Sequence, residues 1–252
     1  MEQSFTAFTE KLQTVFKANG LAPASSEAGR LFYRLTERLL EVNRRMNLTA
    51  VTDVEDILVK HYADCAAAAC LFKEGSDVAD IGAGAGFPTL PLAILRRDLR
   101  LTAIDATAKK MRYVQQTAEI LGLDNVRTVT GRAEEMGRDA RFRETFDAAC
   151  ARAVAEMRVL SEWSLPLVKL GGFFAAMKAK SGREEVENSR NAIELLGGGA
   201  PDVREFCLYN PFLAATHADA VQKRCLILVQ KDRQTPWQYP RENAQIQKKP
   251  LG

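Results

Sequence analysis

The sequence predicts a doubly wound α/β sheet preceded by a helical extension, and three observations carry that prediction. Residues before Gly75 show apolar side chains at helical spacing. From Asp77 onward, strand and helix signals alternate. Where the texture changes stands Asp80-Ile81-Gly82-Ala83-Gly84-Ala85-Gly86-Phe87-Pro88, a short apolar run passing through three alternate glycines into a helical pattern. A chain of 252 residues is long enough for one large α/β domain, or for a medium domain plus an extension.

In chain order, Phe5, Phe8, Leu12, Val15 and Phe16 recur every three or four residues, as do Leu31, Leu35, Leu39 and Val42. Gly20-Leu21-Ala22-Pro23 separates these two helices. Candidate strands follow at 78–81, 101–105, 126–130, 146–150, 172–177, 203–208 and 225–230. Helical stretches such as 108–121 separate the first four, so a parallel sheet with crossover helices is the economical arrangement. The segment from Pro236, containing proline, glutamine and lysine, reads as a frayed tail. The expected organisation is an N-terminal helical extension over 1–74, a core over 75–234 and a flexible tail over 235–252.

Composition narrows the function. Apolar residues make up 46% and charged residues 27%, ordinary for a soluble globular protein. The longest apolar run, near Ala66–Phe72, falls far short of the ~20 residues a bilayer crossing takes. Met1-Glu2-Gln3-Ser4 opens polar and acidic, unlike a signal peptide. Five scattered cysteines and no C-x-x-C pair argue for a reduced, cytoplasmic setting. With two histidines, His61 and His217, no metal site is expected. A net charge of +3 permits an RNA partner without demanding one.

The glycine segment reads as strand, tight turn and helix start, a loop that lets a ligand approach the backbone. A dinucleotide fingerprint needs glycine at its last position for close helix–strand packing, and Phe87 stands there instead. An acidic residue two before the first glycine, followed by G-x-G-x-G, is the pattern of S-adenosylmethionine enzymes. Gly82, Gly84 and Gly86 are expected to turn backbone N–H groups toward the ligand, with Asp80 facing the cofactor's ammonium. Asp105 ends the second strand about 20 residues on, where a carboxylate can accept both ribose hydroxyls. The plain alternative is a cap for the helix beginning near Ala108. The backbone at Ala133-Glu134 is placed to meet the adenine, with Phe87 nearby. Alone, Glu134-Glu135 is better read as a solvated helix start whose charges favour the helix dipole.

These and other segments together resemble the bacterial 16S rRNA guanine-N7 methyltransferases of the RsmG type, also called glucose-inhibited division protein B. The matching stretches run nearly end to end: Asn43-Arg44-Arg45-Met46-Asn47-Leu48-Thr49 with Asp53, then Leu58-Val59-Lys60-His61-Tyr62-Ala63-Asp64, the glycine loop, Phe146-Asp147 leading to Ala151-Arg152-Ala153, Leu170-Gly171-Gly172 with Lys178, and Arg224 to Lys231. Departures are small: Thr89 where the pattern has glycine, Cys65 and Ala151 where it has serine, and Ala179 after Lys178. The resemblance implies a seven-stranded Rossmann-like AdoMet-dependent methyltransferase fold. It also implies methyl transfer from S-adenosylmethionine to N7 of one guanine in 16S rRNA, naked or within the 30S particle, by a cytoplasmic monomer.

Guanine N7 is an acceptor with a free lone pair, so no proton need leave before attack and no general base is required. The work is alignment and electrostatic tuning. The resemblance gives Arg152 and Lys178 catalytic roles, with Arg152 also at the cofactor, and turns Lys60, His61 and Lys178 toward RNA. Read alone, Lys60 and His61 are as well explained by a solvated helix face, and His61 by a core histidine. Asn210-Pro211-Phe212-Leu213 imitates an amino-methylase motif but follows the wrong strand, and Cys150 reads as a buried strand residue rather than a nucleophile. Two other functions fit the chain less well: an AdoMet-binding ribosome-assembly protein without catalysis, and a small-molecule methyltransferase lidded by the N-terminal helices.

Overall fold

Seven strands form one sheet in a computed structural model that describes residues 2–152, 154–179 and 182–252. They are β1 (Asp77–Ile81), β2 (Arg100–Asp105), β3 (Val126–Thr130), β4 (Phe146–Arg152), β5 (Val168–Lys178), β6 (Asp202–Tyr209) and β7 (Val221–Gln230). Their order is β3-β2-β1-β4-β5-β7-β6. Strand order reverses beside β1, so the carboxyl ends of β1 and β4 open a crevice between them. β1 and β4 are the most thoroughly buried strands, which is why both read as near-continuous runs of small and apolar residues. At the edge, β6 carries Asp202, Arg204 and Glu205, charges that discourage further strand pairing.

The expectation of a parallel sheet holds from β3 through β5, while β7 runs antiparallel to β5 and β6 antiparallel to β7. No helix lies between β6 and β7, and a strand that returns without a crossover must pair antiparallel. Crossover helices follow the earlier strands: α5 (Thr89–Leu95), α6 (Ala108–Leu121), α7 (Ala133–Met136), α8 (Met157–Ser164) and α9 (Gly182–Leu195).

Before the sheet come α1 (Glu2–Ala18), α2 (Ser26–Met46), α3 (Val54–Ile57), a π-helical stretch Leu58–Ala63 and α4 (Asp64–Ala67). Ser25 caps α2 by accepting from the Ala28 N–H. Phe16, Phe32 and Tyr62 from these helices join Phe87, Leu90 and Val114 in one apolar cluster, so the extension shares the core of the sheet. The other face is filled by Met157, Leu160, Phe174, Ile193 and Ile227.

The expected frayed tail is instead packed down. It ends in α10 (Asn243–Lys248), whose Ile246 is fully buried. Three arginines hold it: Arg143 donates to the carbonyls of Thr235 and Tyr239 at 2.6 and 2.9 Å, Arg138 to that of Pro240 at 2.7 Å, and Arg241 grips the buried Glu162 at 2.9 and 2.7 Å. Buried Lys231 donates to the Leu165 carbonyl at 2.7 Å and lies 3.2 Å from Glu144, and burial pulls its amine down to about 8. The polar composition that suggested fraying is thus what fastens the tail, through partners distant in sequence.

Candidate functional site

The glycine loop turns from β1 toward α5 at the crevice. Gly86 has φ +86°, and a Cβ there would come within 2.7 Å of Leu90 Cδ1 and 3.2 Å of Val114 Cγ2, so this glycine lets the loop close on α5 and α6. Gly84 has φ +56°, and a Cβ would meet nothing nearer than the Gly82 carbonyl at 3.7 Å. It bares backbone to open space.

The expected outward N–H groups are not there. Gly82 and Ala83 both donate to the Ile104 carbonyl, at 2.8 and 3.1 Å. Gly84 donates to Asp105 Oδ2 at 3.1 Å, and Gly86 to the Ala83 carbonyl at 2.8 Å. β2 ends level with the loop and absorbs its donors. The carbonyls of Gly82 and Gly84 accept no hydrogen bond among the described residues, so the loop offers acceptors to a ligand. That arrangement suits a cationic donor such as an ammonium better than a phosphate.

Asp105 both braces and lines the site. Its Oδ1 accepts from the Thr107 N–H at 2.8 Å, a turn leading into α6 rather than the cap the sequence also allowed, and its side of the crevice borders two adjoining cavities. Asp80 does not line either one. It is buried beneath the loop, where Oδ2 accepts from the Thr89 hydroxyl at 2.6 Å and the Thr89 N–H at 3.2 Å. Burial raises its carboxyl to about 6 against the opposing pull of these bonds and of Arg152. Thr89, one of the departures from the family pattern, therefore braces the loop from below.

A cavity of about 350 Å³ is lined by Leu48, Thr49, His61, Phe87, Lys110 and Arg152 together with the loop. Arg152, at the carboxyl end of β4, donates through Nη1 to the Lys60 carbonyl at 3.0 Å and Asp64 Oδ2 at 3.1 Å. Its Nη2 donates to His61 Nδ1 at 3.2 Å, and the guanidinium lies 5.4 Å from the Phe87 ring centroid. Asp64 is shared with Arg224, whose Nε is 3.3 Å from Oδ1. His61 stacks on Phe87 at 4.4 Å and bonds Thr49 Oγ1 through Nε2 at 3.0 Å. Its Nδ1 also lies 3.2 Å from the Lys60 carbonyl, but a guanidinium only donates, so we assign Nδ1 as acceptor and the hydrogen to Nε2. Burial and the adjacent Arg152 push the imidazole down to about 3, so it is neutral. Asn43 closes the loop carrying Thr49 by bonding that residue's N–H and carbonyl, both at 2.9 Å.

The second cavity, about 190 Å³, is bordered by Gly131, Ala133, Glu134, Trp163 and Asn243 as well as Asp105. Glu134 is largely buried and its carboxyl is raised by that burial. Trp163 and Asn243 escaped sequence reasoning; each carries a buried polar atom, Nε1 and Oδ1, with no partner among the described residues. These unpaired groups beside Asp105 fit an adenosine, whose base and ribose offer both donors and acceptors.

Two RNA-facing candidates lie elsewhere. Lys60 turns its amine to Asp56 at 3.0 Å and Asp219 at 3.3 Å, and only its carbonyl serves the site. Lys178, at the end of β5, is buried against Glu185 at 2.6 Å and the Ala155 carbonyl, tying β5 to the starts of α8 and α9. Neither borders the two cavities, because each has carboxylate partners supplied by other elements. Ala153 lies outside the described residues. Cys150 is buried and its thiol is pushed well above the ordinary value, and Asn210 caps a turn by accepting from the Phe212 N–H.

A family described as rRNA small subunit methyltransferase G, GidB, matches residues 29–207. The chain is 43% identical over 222 residues to the ribosomal RNA small subunit methyltransferase G of Oceanobacillus iheyensis, covering 87% of this chain and 90% of that protein. It is 38% identical over 244 residues to the protein of that name from Lactobacillus delbrueckii subsp. bulgaricus, covering 95% and 97%. Among solved structures, the Bacillus YcgJ protein superposes with a TM-score of 0.52 at 15% identity over 69% of this chain and all of that one. TYW2 from M. jannaschii, in complex with AdoMet, gives 0.51 at 17% identity over 67% and 74%. Those two likenesses concern the fold.

Proposed function

The chain belongs to the rRNA small subunit methyltransferase G family, and on that premise we propose that it methylates N7 of one guanine in 16S rRNA with S-adenosylmethionine as donor. The observation that carries the reading is the glycine loop, whose Gly82, Ala83 and Gly84 N–H groups are taken up by β2, set between the smaller cavity and the Arg152–His61–Phe87 cluster.

The residues suited to the cofactor are the Gly82 and Gly84 carbonyls for its ammonium, Asp105 for the ribose, and the Ala133–Glu134 segment for the base. Bound there, S-adenosylmethionine supplies an electrophilic methyl group. Guanine N7, which carries a free lone pair, would accept that methyl without losing a proton. Nothing in the cluster needs to act as base. Neutral His61 donates to Thr49 and accepts from Arg152, so it serves as a spacer that fixes the guanidinium and the Phe87 ring. Arg152, held by Asp64 and the Lys60 carbonyl, is fixed in place at the junction of the cofactor loop and the larger cavity. Lys178 is a positioning residue of the frame.

Cations at the cavity mouth fit an RNA. Lys110 lines the larger cavity, Lys109 precedes it, and Arg44 and Arg45 end the helix leading to Leu48 and Thr49. None of the four has an ion-pair partner among the described residues, unlike Lys60 and Lys178. The reading takes the enzyme as a cytoplasmic monomer with no resident metal.

Nucleoside mass spectrometry tests it. Incubation with 30S particles or small-subunit rRNA and labelled S-adenosylmethionine is expected to yield one 7-methylguanosine per rRNA. Label found only in 5-methylcytosine or N6-methyladenosine overturns it.

A further inference from the structure

The tail that sequence composition marked as loose forms a wall of the smaller cavity. Arg241 holds buried Glu162 through its backbone N–H at 2.8 Å and its guanidinium at 2.9 and 2.7 Å. Glu162 and Trp163 are neighbours on α8, and Arg241 is two residues before Asn243. This one ion pair therefore sets Asn243 beside Trp163 at the cavity. The buried Ile246 and the hold of Arg138 on Pro240 and Glu242, at 2.7 and 2.5 Å, keep it there.

The wall presents a matched pair. Asn243 Oδ1 is an acceptor and Trp163 Nε1–H a donor, each buried and without a partner among the described residues. Buried polar groups are nearly always paired, and two orphans on one cavity point to a ligand that pairs both. Adenine has that complement on a single edge: a 6-amino donor next to a ring-nitrogen acceptor. Position agrees, since Asp105 and the Ala133–Glu134 backbone border the same space.

We propose that the C-terminal segment completes the adenine subsite: Asn243 accepts a hydrogen bond from the 6-amino group, and Trp163 Nε1–H donates to the neighbouring ring nitrogen. Asn243 lies beyond the matched family region 29–207, so this wall is a contribution of the chain outside that region. The inference rests on the cofactor reading above.

Calorimetry with S-adenosylhomocysteine, on the full chain, tests it without reference to activity. Asn243→Ala is expected to weaken binding about tenfold, and Asn243→Asp, which keeps an acceptor oxygen, to stay within about threefold of the parent. Trp163→Phe, which removes only the donor, is expected to weaken binding about fivefold. In a Trp237→Phe background Trp163 is the sole indole, and its emission is expected to change on binding. Thermal unfolding shows whether each variant is folded. A folded Asn243→Ala that binds within twofold of the parent overturns the proposal, as does an Asn243→Asp that falls as far as Asn243→Ala. A folded parent that does not bind S-adenosylhomocysteine overturns the cofactor reading itself, and this inference with it.

Discussion

His61 illustrates how one side chain can be visible in the sequence while its role is not. Its neighbours make it a neutral spacer, and a pH dependence follows from that. Its folded value, about 3, lies below the unfolded 6.5, so the unfolded chain takes up the proton first. Stability from this group is full above pH 6.5 and is lost as pH falls toward 3. Between pH 6.5 and 5 the loss is roughly 2 kcal/mol. Asp80 works in the opposite sense: raised to about 6, it destabilises above that pH and relents as pH falls through 6 toward 3.8. His61→Gln keeps a neutral hydrogen-bonding side chain and is expected to show a smaller drop in urea stability from pH 7.5 to 5 than the parent. Equal drops would assign the acid sensitivity elsewhere. Arg152→Ala strands the buried Asp64 with Arg224 alone, and a loss of about 2 kcal/mol together with loss of methyl transfer is expected from urea unfolding and a labelled-methyl assay. The motif made Arg152 legible; the use of Lys60 through its carbonyl was not, because residue type says nothing of which way a side chain leaves its helix.

At the scale of elements, two glycines of one loop do different things. Gly86→Ala forces an L side chain into φ +86° and into Leu90 and Val114, and should cost about 3 kcal/mol of stability. Gly84→Ala meets only backbone strain, about 1 kcal/mol, yet puts a methyl into the open side of the loop and should weaken S-adenosylhomocysteine binding more than stability. Chemical denaturation paired with calorimetry separates the two, and equal stability losses would refute the assignment of Gly86 to packing. Strand positions were readable to within a few residues because β1 and β4 are buried on both faces and Gly or polar turns bound them. The pairing of β7 between β5 and β6 was not, since strand order is set by contacts far apart in the chain. The C-terminal segment was misread for the same reason: Glu162, Arg138 and Arg143, which hold it, lie about a hundred residues or less upstream and leave no local trace.

For the molecule as a whole, the net charge is a modest +3, so attraction to RNA is set by where individual cations stand rather than by the total. Lys110 lines the larger cavity, Lys109 precedes it in the chain, and Arg44 and Arg45 end α2 shortly before Leu48 and Thr49 of its wall. Replacing Arg44 and Arg45 by alanine should lower the salt dependence of rRNA binding by roughly one to two units of slope, leaving S-adenosylhomocysteine affinity unchanged. An unaltered slope would place the phosphate contacts on another face. The two adjoining cavities draw their walls from Leu48 to Asn243, so distant parts of the chain converge on one crevice. That span has a consequence for how the enzyme comes into being on a ribosome. Translation delivers the sheet first and the Asn243 wall late, so with the adenine subsite as proposed, a chain released before Asn243 would hold every strand yet grip its methyl donor weakly.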